Sequence, residues 1–382
     1  MRALRIPFLV LLLAVISVPA EGQGIWRKFV DWVREGNEFD SSYIYQRPAR
    51  FQIDLDGSLR RVSVDLQADY TATCRETDDE GNVTATAQVP AQVVSTMSEN
   101  INGGLGVGVN YGKLGLGVGI GTWPANAPTT SSLTLGYQGH KWGIGLGYYN
   151  FSQNVSHSLT IDTSGATQWH SVSESQSVNP CRVGRLTVDA YWTLGRSRFA
   201  YTAAYKCDML QRQSKGSAMI CAGMVFSGME HNEGDALLML SQFSGYYCLQ
   251  GSVGAGYSHN FVFRHRDPSG PKEKGLSNIT LNLTILPMLT FFNRLEAIPL
   301  NGGDRVTIAG QASPSATGSA ALGLTFGRLF VSLQYRHNLF YYHTADTMSA
   351  AELGLTGGDI DDVSVSGLFN DWRVTGIVVF NF

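Results

Sequence analysis

The stretch Ser258-His259-Asn260 supplies the residue types of a nucleophile, a base and an orienting amide. That chemistry needs nucleophile and base within hydrogen-bond reach, yet neighbouring residues of an extended chain point to opposite faces. The histidines offer no metal cluster: His259 and His265 share a parity, as do His337 and His343, but each pair is separated by roughly 20 Å along a strand. The glycine run GGLGVGVNYGKLGLGVGIG looks like a phosphate-binding loop by eye, but no helix pattern follows and no Lys-Ser/Thr closes it. The reading is therefore no enzyme, no metal and no cofactor. What remains is a set of charges facing away from apolar neighbours: Asp65, Asp69, Asp189, Arg198, Lys206, Arg328, Arg336 and Arg373. They could line a water-filled passage, where charged rings set selectivity, or pair with one another and close it.

The elements that carry these charges alternate with a period of two. In RVSVDLQADYTA, Val62, Val64, Leu66, Ala68, Tyr70 and Ala72 share one parity and Asp65 and Asp69 the other. ITLNLTILPMLTF, RLFVSLQYRHNLFYY and the last residues, WRVTGIVVFNF, repeat the pattern. RLTVDAYWTLGRSRFAYTAAYK reads as a hairpin turning at Gly195-Arg196. Alternation over four to eight residues argues a half-buried strand, and these runs are longer. Connections come in two lengths. Asp56-Gly57-Ser58, Tyr111-Gly112-Lys113, Gln138-Gly139-His140, Gly195-Arg196 and Gly327-Arg328 read as tight turns, while 74–100, 154–183, 293–315 and 344–365 read as long polar loops. Short turns on one side and long loops on the other is the sorting of an outer-membrane barrel. In lipid a sheet must close so that no backbone group is left unpaired. Tyr191, Trp192, Tyr341, Tyr342 and Trp372 near strand ends suit interfacial girdles.

Composition agrees. Charged residues are 15% of the 382, against 43% hydrophobic, with 43 glycines and 16 tyrosines; soluble domains carry about 25% charge. A formal net charge of -3 and the absence of a basic stripe exclude nucleic acid as a partner. Arg2 and Arg5, an apolar core over 6–18 and Val18-Pro19-Ala20 read as a cleaved secretory signal over 1–20. Ile25 to Glu35 has helical spacing and reads as a short periplasmic helix within a lead-in over 21–58, before a barrel over 59–382. Of the five cysteines, Cys74, Cys181, Cys207, Cys221 and Cys248, the pair Cys207 and Cys221 flank a short connection and could bond in an oxidising compartment.

The fold expected is thus all-β, an antiparallel transmembrane β-barrel of 14 strands, or 12 if the weakest pair, near residues 236 and 246, is removed. Asp40, Tyr43, Ile44, Pro48 and Arg50, the hairpin Gly104 to Gly119, and Arg212, Gln213, Ser214, Gly216 and Ser217 resemble a domain-of-unknown-function family of Gram-negative outer-membrane barrels, over about Phe39 to Phe382. The resemblance implies the cell outer membrane and, as partners, its lipid, lipopolysaccharide and the barrel-assembly machinery. It implies that Trp372, Phe380 and Phe382 belong to a membrane-insertion signal. It brings no activity. Two roles stay open: passage or binding of small polar solutes, or a structural, surface-interacting barrel with a closed lumen. A third, an outer-membrane hydrolase, requires Asp or Glu clustered with His at one rim.

Overall fold

The computed structural model describes residues 39–47, 51–98, 101–123, 131–161, 172–230, 243–266, 276–299, 304–349 and 360–382. The expected signal peptide and helix lie outside them. The chain opens with β1 (Ile44–Gln46) and β2 (Phe51–Thr77), followed by β3 (Val83–Ser98), β4 (Asn102–Tyr111), β5 (Leu114–Trp123) and β6 (Ser131–Gln138). Then come β7 (Trp142–Ile161), β8 (Val172–Thr193), the short β9 (Met209–Gln211), β10 (Lys215–Glu230) and β11 (Phe243–His265). The last are β12 (Leu276–Pro299), β13 (Val306–Ala309), β14 (Ser313–Phe326), β15 (Leu329–His343) and β16 (Ile360–Asn381).

Antiparallel pairing runs β11-β10-β8-β7-β6-β5-β4-β2-β16-β15-β14-β12, and β12 pairs back with β11, so the ring closes with 12 strands. Two of the fourteen expected strands are absent from it. The one from residue 197 is not a wall strand, as described below, and the one near 236 falls outside the described residues. The wall begins at Phe51 rather than 59, because Asp56-Gly57-Ser58 is extended and paired inside β2 rather than turning. The supposed loop 74–100 is the outer part of β2 and all of β3; 154–183 and 293–315 likewise continue β7, β8 and β12. β4, β5 and β6 are only 10, 10 and 8 residues long, and β3 fills the wall between β2 and β7 beyond their ends. The turn β4–β5 depends on Gly112, whose φ of 58° suits glycine.

Burial is inverted relative to a water-soluble sheet. Leu105, Val107, Leu116, Val118, Ile285 and Leu333 are exposed on the outer face, while Asn260, Asn278, Thr280, Asn282, Thr284 and Ser332 are buried within. That is the economy of a wall in lipid, where the outer face is apolar and the bore polar. On β16, outward residues run from Phe380 to Trp372. That is about 27 Å along the strand, or about 21 Å along the normal at a tilt of about 40°, close to the height of an apolar belt. Beyond Trp372 the polarity reverses. On β2, the even positions Asp54, Asp56, Ser58 and Arg60 face the bore, and so do Val62, Ala68 and Tyr70 further along. Asp65 and Asp69 therefore lie on the outward parity, opposite to the lumen-facing placement expected from sequence. The physical reason is that this part of the strand has water, not lipid, outside.

If the belt is a lipid face, Leu333→Arg near its middle should lower folding stability in phospholipid vesicles by about 2–4 kcal/mol. Denaturant titration measures this, and a loss well under 1 kcal/mol would contradict a lipid-facing Leu333.

Candidate functional site: a cavity in the barrel

Between β8 and β10 the chain does not make a hairpin. Residues 194–214 fold into the bore as two short 3-10 turns, Arg196–Arg198 and Tyr201–Ala204, followed by β9. β9 pairs with β1, so the segment 39–47 is docked against it, with Ile44 fully buried. Together they form an inlay across the tight-turn end. The polar inner wall seats it through its backbone carbonyls. Asn260 Nδ2 donates to the Ala200 carbonyl at 2.7 Å, Ser332 Oγ to that of Ala204 at 2.7 Å, Gln334 Nε2 to that of Tyr205 at 3.1 Å, and Asn278 Nδ2 to that of Gln211 at 3.0 Å. These donors come from β11, β12 and β15, so the inlay is held across the bore. Each such bond is worth about 0.5–1.5 kcal/mol net, and a buried carbonyl left without one costs more. Gln211, fully buried, binds both halves: its Oε1 accepts from the Ala200 amide at 2.9 Å and its Nε2 donates to the Arg198 and Tyr43 carbonyls at 2.9 and 3.3 Å.

At the far end the bore is filled. Val62, Tyr70, Val183, Tyr246, Leu295, Phe340 and Phe369, among others, form one buried cluster with contributions from opposite sides of the ring. Just below it Asp371 lies between Arg60 and Arg185, each at 3.0 Å, with the Arg60 guanidinium 4.2 Å from the centre of the Tyr149 ring.

Between inlay and roof the bore holds a cavity of ≈ 400 Å³. Its charges are paired: Arg336 with Asp189 at 3.1 Å, Arg373 with Asp56 at 3.8 Å, and Lys206 with Asn110 Oδ1 at 3.4 Å, while Asn110 Nδ2 donates to Asp54. The glycine-rich hairpin β4–β5 gives these acids their room, since a Cβ at Gly106 would collide with the Asp56 carboxylate. Tyr191, Tyr201 and Tyr205 complete the lining.

Of the residues singled out from sequence, the structure brings Asp189, Lys206, Arg336 and Arg373 to this cavity. Asp65 and Asp69 are outside, with Asp69 bonded to Gln67 and Gln92 at 2.9 and 2.8 Å. Arg198 belongs to the inlay, paired with Asp40 at 3.0 Å, and Arg328 sits exposed at the β14–β15 turn. Trp372, Phe380 and Phe382 share the outward parity of β16, with Phe380 and Phe382 exposed. Of the expected girdle, Trp192 and Tyr341 face out, but Tyr191 lines the cavity and Tyr342 is buried in the roof. Ser258 and Asn260 point inward, Ser258 bonding Thr284 at 2.6 Å. Cys207 and Cys221 are free thiols in different places, the former in the inlay within 3.1 Å of Arg47 Nη1 and the latter on the wall. The sequence reading missed Asp54, Asp56, Arg60, Arg185 and Asp371. Their signal was the shift, along one parity of β2, from Asp, Asp, Ser and Arg to Val.

One titrating group sits in the inlay itself. Burial pushes the Asp208 carboxyl up from 3.8 to about 6, against the pull of Lys206 and Lys113. A carboxyl released to water titrates near its ordinary value of about 3.9. The docked inlay therefore binds more protons than the released one between about pH 4 and 6, and docking strengthens as pH falls through that window, by about 3 kcal/mol in all. Amide exchange over 200–211, corrected for intrinsic rates, should be slower at pH 5 than at pH 7.5. Asp208→Asn should abolish the difference; an unchanged pH response in that variant would remove Asp208 as its cause. In the roof, Asp371→Ala strands two buried guanidiniums and should cost about 3–5 kcal/mol in the same vesicle titration. A loss under 1 kcal/mol would show that the arginines find other partners.

No curated protein matches the chain. Among solved structures, it is similar to the Pseudomonas putida toluene transporter TodX at 10% identity, with a TM-score of 0.24 and 88% of this chain and 90% of that one covered. It is also similar to a Pseudomonas aeruginosa FadL homologue at 10% identity, with a TM-score of 0.22 and coverage of 86% and 90%. Likeness at these scores carries no argument about what this barrel admits. Residues 82–269, from the β2–β3 hairpin past the end of β11, match the family model described as a domain of unknown function, DUF4421.

Proposed function

We propose that this protein is an outer-membrane barrel that holds a small polar solute in its lumen and releases it only when the inlay is displaced. The tight-turn end, with the inlay, faces the periplasm, and the long strands and the filled roof face outward. The observation that carries the reading is the cavity: six charged side chains around ≈ 400 Å³, with a floor made by the inlay and a roof made by the Asp371 triad and the apolar cluster. An apolar solute there would strip water from those charges without replacing its hydrogen bonds. A polar one restores them.

The second reading, a purely structural barrel, is favoured by the filled roof, which spans the bore. Single-channel recording in planar bilayers separates the two. The intact barrel should be silent or rarely open, and it should stay silent when only the roof is thinned by Tyr246→Ala, Phe340→Ala and Phe369→Ala; replacing residues 196–213 by a short Gly-Ser turn in that thinned barrel should then give steady ion current. That current should change its ion selectivity when Arg336→Gln is added, because Arg336 lines the cleared bore. No current from the shortened barrel, with its fold intact, would favour the structural reading.

A further inference from the structure

The cavity has two kinds of wall, and together they specify a ligand class. On one side stand three tyrosines, with Tyr201 of the inlay between Tyr191 of β8 and Tyr205; the ring centroids are 4.7 and 5.2 Å apart. The outer two hydroxyls are already committed. Tyr191 donates to the Gly139 carbonyl at 2.6 Å, and Tyr205 is bonded to Asn282 at 3.0 Å and Ser319 at 2.9 Å. What these two residues offer the cavity is therefore mainly ring surface. On the other side the charges compensate one another. Arg336 is balanced by Asp189 and Arg373 by Asp56, while Asn110 joins Asp54 to Lys206.

A charged ligand would have to displace the partner that each of these charges already has in the bore. An apolar ligand would desolvate the charges and satisfy none of them. A neutral molecule bearing several hydroxyls can donate to the carboxylates and accept from the guanidiniums without breaking a pair. Its C–H face can also lie against the tyrosine rings. A volume of ≈ 400 Å³ lies toward the small end of ligand pockets, which run to about 300–1,000 Å³.

We infer that the cavity between Tyr201 and the Arg336–Asp189 pair is a binding site for an uncharged saccharide of roughly mono- to disaccharide size. This deepens the reading of the lumen as a polar-solute site and rests on it. The ligand touches both the fixed wall and the inlay, so its binding holds the inlay in place.

The test is isothermal titration calorimetry on the full-length barrel in a detergent without a sugar headgroup. The probes are glucose, galactose, maltose and lactose, with phosphate, glutamate and toluene as controls. At least one sugar should bind saturably, with an affinity that changes less than about twofold between low and high salt, as suits an uncharged ligand. Tyr201→Ala should weaken it by about tenfold or more, and Arg336→Met should also weaken it, with circular dichroism and heat-modifiable gel mobility unchanged in both. Binding of phosphate, glutamate or toluene without any sugar overturns the inference. So does the absence of sugar binding, or sugar binding indifferent to both substitutions. The conductance of the shortened barrel is a separate readout. If that barrel conducts and no sugar binds, the ligand class is wrong and the inlay is still the closure; if it stays silent, the reading of the inlay fails on its own.

Discussion

A single sheet that must pair every backbone group where no water is available has one solution as strands, which is to close. Closure then decides which side of each strand is which. Inside the lipid belt the bore is the only place for polar side chains, so Asn260, Asn278, Thr280 and Asn282 are buried and Leu105, Val107 and Ile285 exposed. The strands do not stop at the belt, however. β2 has 27 residues and β12 has 24, against about 9–11 needed to cross. Beyond the belt water wets the outside, and the same closed sheet follows the rule of a soluble one. Arg60 and Val62 share a face two residues apart; one lies at the top of the polar bore and the other at the base of the apolar roof.

This explains how much could be read beforehand. The period of two gave the strands, and the residue starts near 60, 101, 113, 131, 140, 185, 217, 246, 277, 317, 328 and 366 fall in or beside the twelve of the ring. The period cannot say which solvent faces the apolar parity. Val62, Ala68 and Tyr70 look like a lipid face and are a core, and Asp65 and Asp69 follow them to the wrong side. β3, rich in Thr, Gln and Ser, looked like a loop because a strand wetted by water needs no apolar outer face. The inlay misled in the opposite way. Phe199, Tyr201, Ala203 and Tyr205 alternate as a strand would, but Ala200 and Ala204 between them are buried too. A segment enclosed by a barrel is covered on every side, and its small residues allow close approach: a Cβ at Gly323 of the wall would come within 3.0 Å of the Ala204 backbone. Spacing carries no mark of that enclosure.

The polar bore and the inlay need each other. Without the inlay, the amides and hydroxyls of β11, β12 and β15 would be met by water; with it, they meet backbone carbonyls of a chain that has no sheet partner along most of its length. The ion pairs have a different role. A buried pair such as Arg185 with Asp371 gains little net stability over an apolar replacement, but it ties β8 to β16 across the bore. It also sets the boundary between cavity and roof. The surface pair Arg198 with Asp40, half exposed on the arginine side, contributes far less.

The floor of the cavity belongs to the inlay, which constrains how such a barrel can open. Tyr201, Tyr205 and Lys206 line the cavity and also lie on the segment that closes it. A ligand that touches them binds the docked inlay better than the released one, and by linkage it shifts the population toward the closed form. Acidification acts in the same direction through Asp208. Neither the bound solute nor a fall in pH from about 6 to about 4 therefore opens the bore. The other end of the inlay is where β1 meets β9, Ile44 with Gln211, Tyr45 with Leu210 and Gln46 with Met209, with further bonds from Arg212 to the Ser41 carbonyl and from Gln213 to that of Ser42. None of these residues lines the cavity, so force applied there acts on the closure without first disturbing the ligand.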